Sequence, residues 1–212
     1  MSGDINKKLI RGGNMEKKTL EDVKQLLIVI DMVNGFVREG AMASQNIEHI
    51  IPEIERLVKK FTEENDKQVV FIKDTHLENA REFKRYPVHC LKNTSESENV
   101  DELKKYESMA IIYEKNSTSA IFSKGLLENL AKMKKLEEVV LVGCCTDICV
   151  INLAIPLQNY LDENNRDIEL IVPTNACETY DAPNHNADEW NQMAYKFMEQ
   201  SGIKLVKKYG GR

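Results

Sequence analysis

The sequence predicts a three-layer α/β/α domain on a doubly wound, mostly parallel sheet of about six strands. Three observations carry that expectation. Short runs at 26–30, 69–72 and 139–142 are apolar throughout, the pattern of strands buried on both faces of a parallel sheet. Segments of helical period separate them. The strands end on polar residues or glycine, at Asp31, Lys73-Asp74, Glu114-Lys115 and Gly143, and in an open parallel sheet those ends share the edge where ligands bind.

Taken in order, residues 26–30 form the first strand. Residues 47–64 carry Ile47, Ile50, Ile51, Ile54, Leu57, Val58 and Phe61 at helical spacing, which predicts an amphipathic helix. Strands follow at 69–72 and 109–113, with the Lys/Glu-rich stretch 95–107 between them read as a solvated helix. A helix at 126–133 precedes the fourth strand, 139–142. The next helix, 146–162, contains Pro156, which removes a backbone donor and predicts a kink. A fifth strand at 168–172, a helix at 187–200 and a sixth strand at 203–206 complete the chain. No internal repeat or linker marks a second domain, so residues 23–212 read as one domain and residues 1–22 as a mobile tail, with Met15 an alternative start.

Composition narrows the function. The chain has 212 residues, 42% hydrophobic and 30% charged, enough for a core without disulfides. A net charge of −5 argues against nucleic-acid and anionic-membrane surfaces, which need a basic face. No apolar run approaches the roughly 18 residues of a membrane span, and the first residues lack the apolar stretch of a secretion signal. Five cysteines at no scaffold spacing then read as reduced thiols in a cytoplasmic protein.

Residues 139–150, VVLVGCCTDICV, predict a strand, a tight turn and a helix start. Cys149 falls in the first helical turn, where free backbone N–H groups and the helix dipole favour an anion and lower a thiol pKa. This motif alone leaves open a packing role for Cys149, and packing is the expectation for the thiols of Cys144 and Cys145. Asp31 and Lys115 lie at strand ends on the same edge. A second constellation spans 73–90: Asp74 and His76 two apart beyond a strand, then Glu82, Tyr86 and His89. That set suits a mixed nitrogen/oxygen metal site, although spacing alone equally allows loop histidines with no ligand. His49 reads as solvated, and His185 as a cap or surface residue.

The segment GCCTDICV at 143–150 resembles the nucleophile loop of isochorismatase-like cysteine hydrolases, with its G-x-x-T-D/E-x-C-V pattern. Asp31 in IVIDMVNGF and Lys115 in IYEK resemble that family's aspartate and lysine, and the likeness spans about residues 26–206. It implies the isochorismatase-like hydrolase fold, with Cys149 as nucleophile, Asp31 as general acid/base and Lys115 as electrostatic partner. It further implies a cis peptide at Cys144–Cys145 that aims the Cys145 and Cys149 amides at an oxyanion. The D-x-H and W/F/Y-P-x-H-C pattern of 74–90 resembles the nicotinamidase/pyrazinamidase branch. There Asp74, His76, His89 and Glu82 would hold one divalent metal ion (zinc first, iron or manganese as alternatives), with Phe36, Tyr86 and Cys145 against the substrate. Homo-oligomerisation is implied as well. Departures from the branch are the stretch NSTSAIF after Lys115, Asn175 where aspartate is common, and Pro156.

Three readings follow. One is a metal-dependent amidohydrolase acting on nicotinamide. Another is an isochorismatase-like amidase or ureidohydrolase for a different small amide. The third is a binding or scaffold protein that keeps the fold, against which the full Asp31, Lys115 and Cys149 set speaks.

Overall fold

A computed structural model describes residues 19–210; most of the expected tail, including Met15, lies outside them. The described chain runs β1 (Gln25–Ile30), α1 (Asn34–Val37), α2 (Gln45–Glu48), α3 (Ile51–Glu63), β2 (Lys67–Asp74), α4 (Asp101–Lys104), β3 (Ile111–Lys115), α5 (Leu126–Lys132), β4 (Glu138–Cys144), α6 (Ile151–Glu163), β5 (Glu169–Pro173), β6 (Cys177–Glu178), α7 (Ala187–Gln200) and β7 (Lys204–Val206). The strands pair in the order β3-β2-β1-β4-β5-β7, with the short β6 alongside β4, and every pairing is parallel. The sheet thus has seven strands rather than six; β6 is two residues long and leaves no periodic trace.

The two layers of helices follow from strand geometry, because successive side chains point to opposite faces. Leu26, Ile28 and Ile30 of β1 join a core with Leu126, Leu130, Leu153, Leu157 and Met198 from α5, α6 and α7. Leu27 and Val29 face Ile54, Leu57, Val58 and Phe61 of α3. Runs that are apolar throughout are what two covered faces demand. Among the described residues, no helix is long and apolar enough to cross a membrane.

Some expectations change. The helix predicted at 47–64 is two helices, broken at His49 and Ile50; Ile47, Ile50 and Ile51 are all buried, so the apolar period continues through the break. The stretch 95–107 is not one solvated helix. It consists of a 3-10 turn at Ser95–Ser97, α4 and the start of another 3-10 turn at Glu107–Met109, with Val100 and Leu103 fully buried. That last turn delays β3 by two residues relative to the predicted 109–113. The segment after β4 opens as a single π turn, Thr146–Val150, in which the Val150 N–H reaches back to the Cys145 carbonyl at 3.0 Å. Regular α6 follows, and Pro156 sits inside it. Proline cannot donate to the carbonyl four residues earlier; that carbonyl, on Asn152, instead accepts the Ser119 hydroxyl.

Gly143 brings β4 against β1. Its φ is +122°, and a Cβ there would lie 2.0 Å from the Ile30 carbonyl oxygen. Only glycine fits both constraints, and the close approach sets the cysteine turn beside the end of β1.

Candidate active site

Parallel register delivers the site. Asp74 and Lys115, the last residues of β2 and β3, are direct partners in the ladder, and Asp31 follows β1 between β2 and β4. Asp31 adopts φ 53°, in the left-handed region that aspartate visits more readily than most residues. Lys115 Nζ lies 2.9 Å from Asp31 Oδ2, 2.8 Å from Asp74 Oδ1 and 3.7 Å from Cys149 Sγ. The Asp31 contact is an ion pair without hydrogen-bond alignment: among the described residues neither Asp31 oxygen has an aligned partner. The peptide bond between Cys144 and Cys145 is cis.

Burial sets the charges here. It pushes the Asp31 carboxyl up to about 6, against the pull of the Lys115 ammonium. Burial works against charge on Asp74 too, but Lys115 and the two imidazoles outweigh it and hold that carboxyl below the ordinary range. The Lys115 ammonium is disfavoured by burial, yet Asp31 and Asp74 keep its pKa well above the usual lysine value. For the Cys149 thiol, burial raises the pKa well above the ordinary value despite Lys115. This runs against the expectation of a lowered thiol pKa: burial outweighs what the ammonium supplies.

Beside this group, Asp74, His76 and His89 bring one donor atom each to within 4.8 Å of one another. Asp74 Oδ2 is 3.0 Å from His76 Nε2 and 3.2 Å from His89 Nε2. The outer ring nitrogens are also engaged. His89 Nδ1 donates to the Pro87 carbonyl at 2.7 Å. His76 Nδ1 faces Asn116 Oδ1 at 3.3 Å, and the Leu77 N–H, 3.0 Å from the same atom, identifies it as the acceptor oxygen. An acceptor stands at each Nδ1 and the Asp74 carboxylate at each Nε2, so each ring is held with Nε2 inward, the orientation a histidine ligand needs. The donor set fits a divalent transition metal such as zinc, iron or manganese. Glu82 stands at the edge of the trio, with Oε2 3.7 Å from His76 Nε2 and Oε1 accepting from Thr118.

A cavity of about 460 Å³ opens onto both groups, and its walls include Phe36, Tyr86, Cys145 and Cys149. Every residue predicted for the site except Asp31 and His76 lines it, and those two lie directly behind it with no exposed surface. Sequence reasoning assigned no site role to Ala41–Ser44 and Asp181, which also wall the cavity, and noted Asn116 and Thr118 only as part of the divergent stretch after Lys115; Thr118 walls the cavity and Asn116 lies behind His76. His185 is corrected as well. It is buried, with its ring between Tyr180 at 3.8 Å and Trp190 at 4.8 Å and its Nε2 2.8 Å from Asp147 Oδ2. His49 is exposed as expected but also pairs with Glu178 at 3.2 Å. All five cysteines are free.

The isochorismatase domain model aligns with residues 25–206, and the chain belongs to the isochorismatase family. It is 29% identical over 182 residues to nicotinamidase 1 of Arabidopsis thaliana, covering 77% of this chain and 72% of that one. The pyrazinamidase of Pyrococcus horikoshii in complex with zinc superposes with a TM-score of 0.69 at 26% identity, over 87% of this chain and 99% of that one. N-carbamoylsarcosine amidase from Thermoplasma acidophilum superposes with a TM-score of 0.70 at 25% identity, over 89% and 100%. Overall likeness therefore leaves the substrate to be argued from the site.

Proposed function

We propose that this protein is a metal-dependent cysteine amidohydrolase that converts nicotinamide to nicotinate and ammonia. The observation that carries this reading is the Asp74, His76 and His89 trio, two of whose members, Asp74 and His89, line the same cavity as Cys149. A divalent ion held there, zinc first, would supply a Lewis acid for the pyridine nitrogen. Phe36 and Tyr86 would flank the ring, leaving its carboxamide toward the thiol.

Asp31 takes the thiol proton as Cys149 Sγ attacks the amide carbon. The backbone N–H groups of Cys145 and Cys149 receive the oxyanion. When the tetrahedral species collapses, Asp31 returns the proton to the departing nitrogen and ammonia leaves a thioester. Asp31 then removes a proton from water as it attacks the thioester, the thiol is restored, and nicotinate departs. Lys115 stabilises the anionic forms of Cys149 and Asp31 throughout. Burial of the thiol favours transfer of its proton to Asp31 as part of attack.

The likeness to N-carbamoylsarcosine amidase and the divergent stretch after Lys115 favour, as a second reading, another small amide cleaved by the same three groups. One experiment separates them. The purified protein should carry about one divalent metal per chain; chelation should suppress nicotinamide hydrolysis, mainly through substrate binding, and a divalent cation should restore it. Benzamide, which lacks the ring nitrogen, should be a far poorer substrate for the metal-loaded protein, and metal removal should erase most of that preference. A metal-free protein inert toward nicotinamide that cleaves a different amide through Cys149 would replace the first reading with the second.

A further inference from the structure

The stretch after Lys115 departs from the branch pattern, and two of its residues, Asn116 and Thr118, touch the metal candidates from behind. Asn116 Oδ1 accepts the Leu77 N–H at 3.0 Å and faces His76 Nδ1 at 3.3 Å. Two residues on, the Thr118 N–H and hydroxyl both donate to Glu82 Oε1, at 2.7 and 2.8 Å. The backbone fixes the reach of this loop, because Thr75 N–H bonds the Lys115 carbonyl at 2.8 Å. The chain leaving β3 therefore runs beside the chain leaving β2.

We propose that residues 116–118 form a strap that positions the metal donors: Asn116 sets the tautomer and ring plane of His76, and Thr118 sets which oxygen of Glu82 faces the ion. The inference rests on the metal-dependent reading above. A carbonyl oxygen accepts and never donates. Asn116 Oδ1 thus holds a proton on His76 Nδ1, so that Nε2, turned toward Asp74, is the nitrogen available to an ion. With two donors on Glu82 Oε1, only Oε2 remains for the site, so Glu82 acts through a single oxygen. Both residues act on the ion through the donors they hold, and Thr118 also forms part of the cavity wall.

Zinc titration of the metal-stripped protein against a chromogenic chelator tests the strap, with folding of each stripped variant checked by circular dichroism. Loss of a partner to a metal-bound imidazole typically weakens affinity 10–100-fold, and Asn116→Ala should fall in that range. Asn116→Asp keeps an acceptor at the same place and should recover most of the affinity, whereas Asn116→Leu keeps the bulk without the acceptor and should lose as much as alanine, which a merely space-filling role would not give. Thr118→Val keeps its shape and its N–H bond but loses the hydroxyl, so the loss should be smaller than for Asn116→Ala. A wild type that binds zinc beside an Asn116→Ala variant that binds it as tightly would overturn the strap and leave the metal reading standing. A wild type that takes up no divalent metal would overturn the metal reading and the strap with it.

Discussion

Replacing Cys149 with alanine should abolish amide hydrolysis, lowering kcat by at least about a thousandfold, because loss of a covalent nucleophile typically costs several orders of magnitude. Metal uptake and folding should survive: Sγ belongs to the thiol group, not to the Asp74, His76 and His89 trio, and alanine leaves only a small gap in a wall already open to the cavity. Cys144→Ala and Cys145→Ala provide the contrast. Cys144 Sγ donates to the Asp31 carbonyl from a fully buried position, and Cys145 is proposed to act through its backbone N–H, so neither thiol is consumed in the reaction. Both variants should retain far more activity than Cys149→Ala. Single-turnover and steady-state rates with nicotinamide measure this directly; a Cys149→Ala protein retaining more than about a hundredth of the wild-type rate would exclude the thioester route.

Asp31→Asn should be as damaging, because an amide cannot accept the thiol proton or pass it to ammonia. The carboxyl, raised to about 6 by burial, is the group whose ionisation should appear in the pH profile. The sign is fixed by its role: the base must be ionised, so kcat/KM should fall as pH drops through about 6 and level off above it. Asparagine should remove that acid limb from the residual activity while leaving zinc uptake intact, since Asp31 is not one of the trio. If the variant kept the wild-type profile, the limb would belong to another group and the proton transfer would have to be reassigned.

Much of this arrangement was legible in the chain. Buried strands announce themselves when both faces are covered, and a residue at the C-terminal end of a parallel strand is placed at the ligand edge without further information. Asp31, Asp74 and Lys115 were therefore found from pattern, and the GCCTDICV turn located Cys149 between them. What escaped detection depends on neighbours distant in sequence. Burial of the Cys149 thiol reverses the pKa shift expected from its turn. His185, placed by pattern near a helix start, is drawn inside by Tyr180, Trp190 and Asp147. The break at His49 and Ile50 leaves the apolar period intact, so periodicity could not show it. Asn116 and Thr118 are ordinary loop residues until the strand register sets them behind His76 and Glu82.

The three-ring stack has an optical consequence. Trp190 is the only tryptophan in the chain, and its indole lies face to face with the His185 ring, at 4.8 Å and 9°. The other leaf of the stack, Tyr180, belongs to the wall of the cavity, as does its neighbour Asp181. Under excitation selective for tryptophan the emission comes from this one indole, and its contact with the His185 ring makes that emission depend on the seating of the wall. Whatever enters the cavity and shifts Tyr180 must disturb the stack, and occupancy becomes readable in real time, by stopped flow, on the unlabelled wild-type chain.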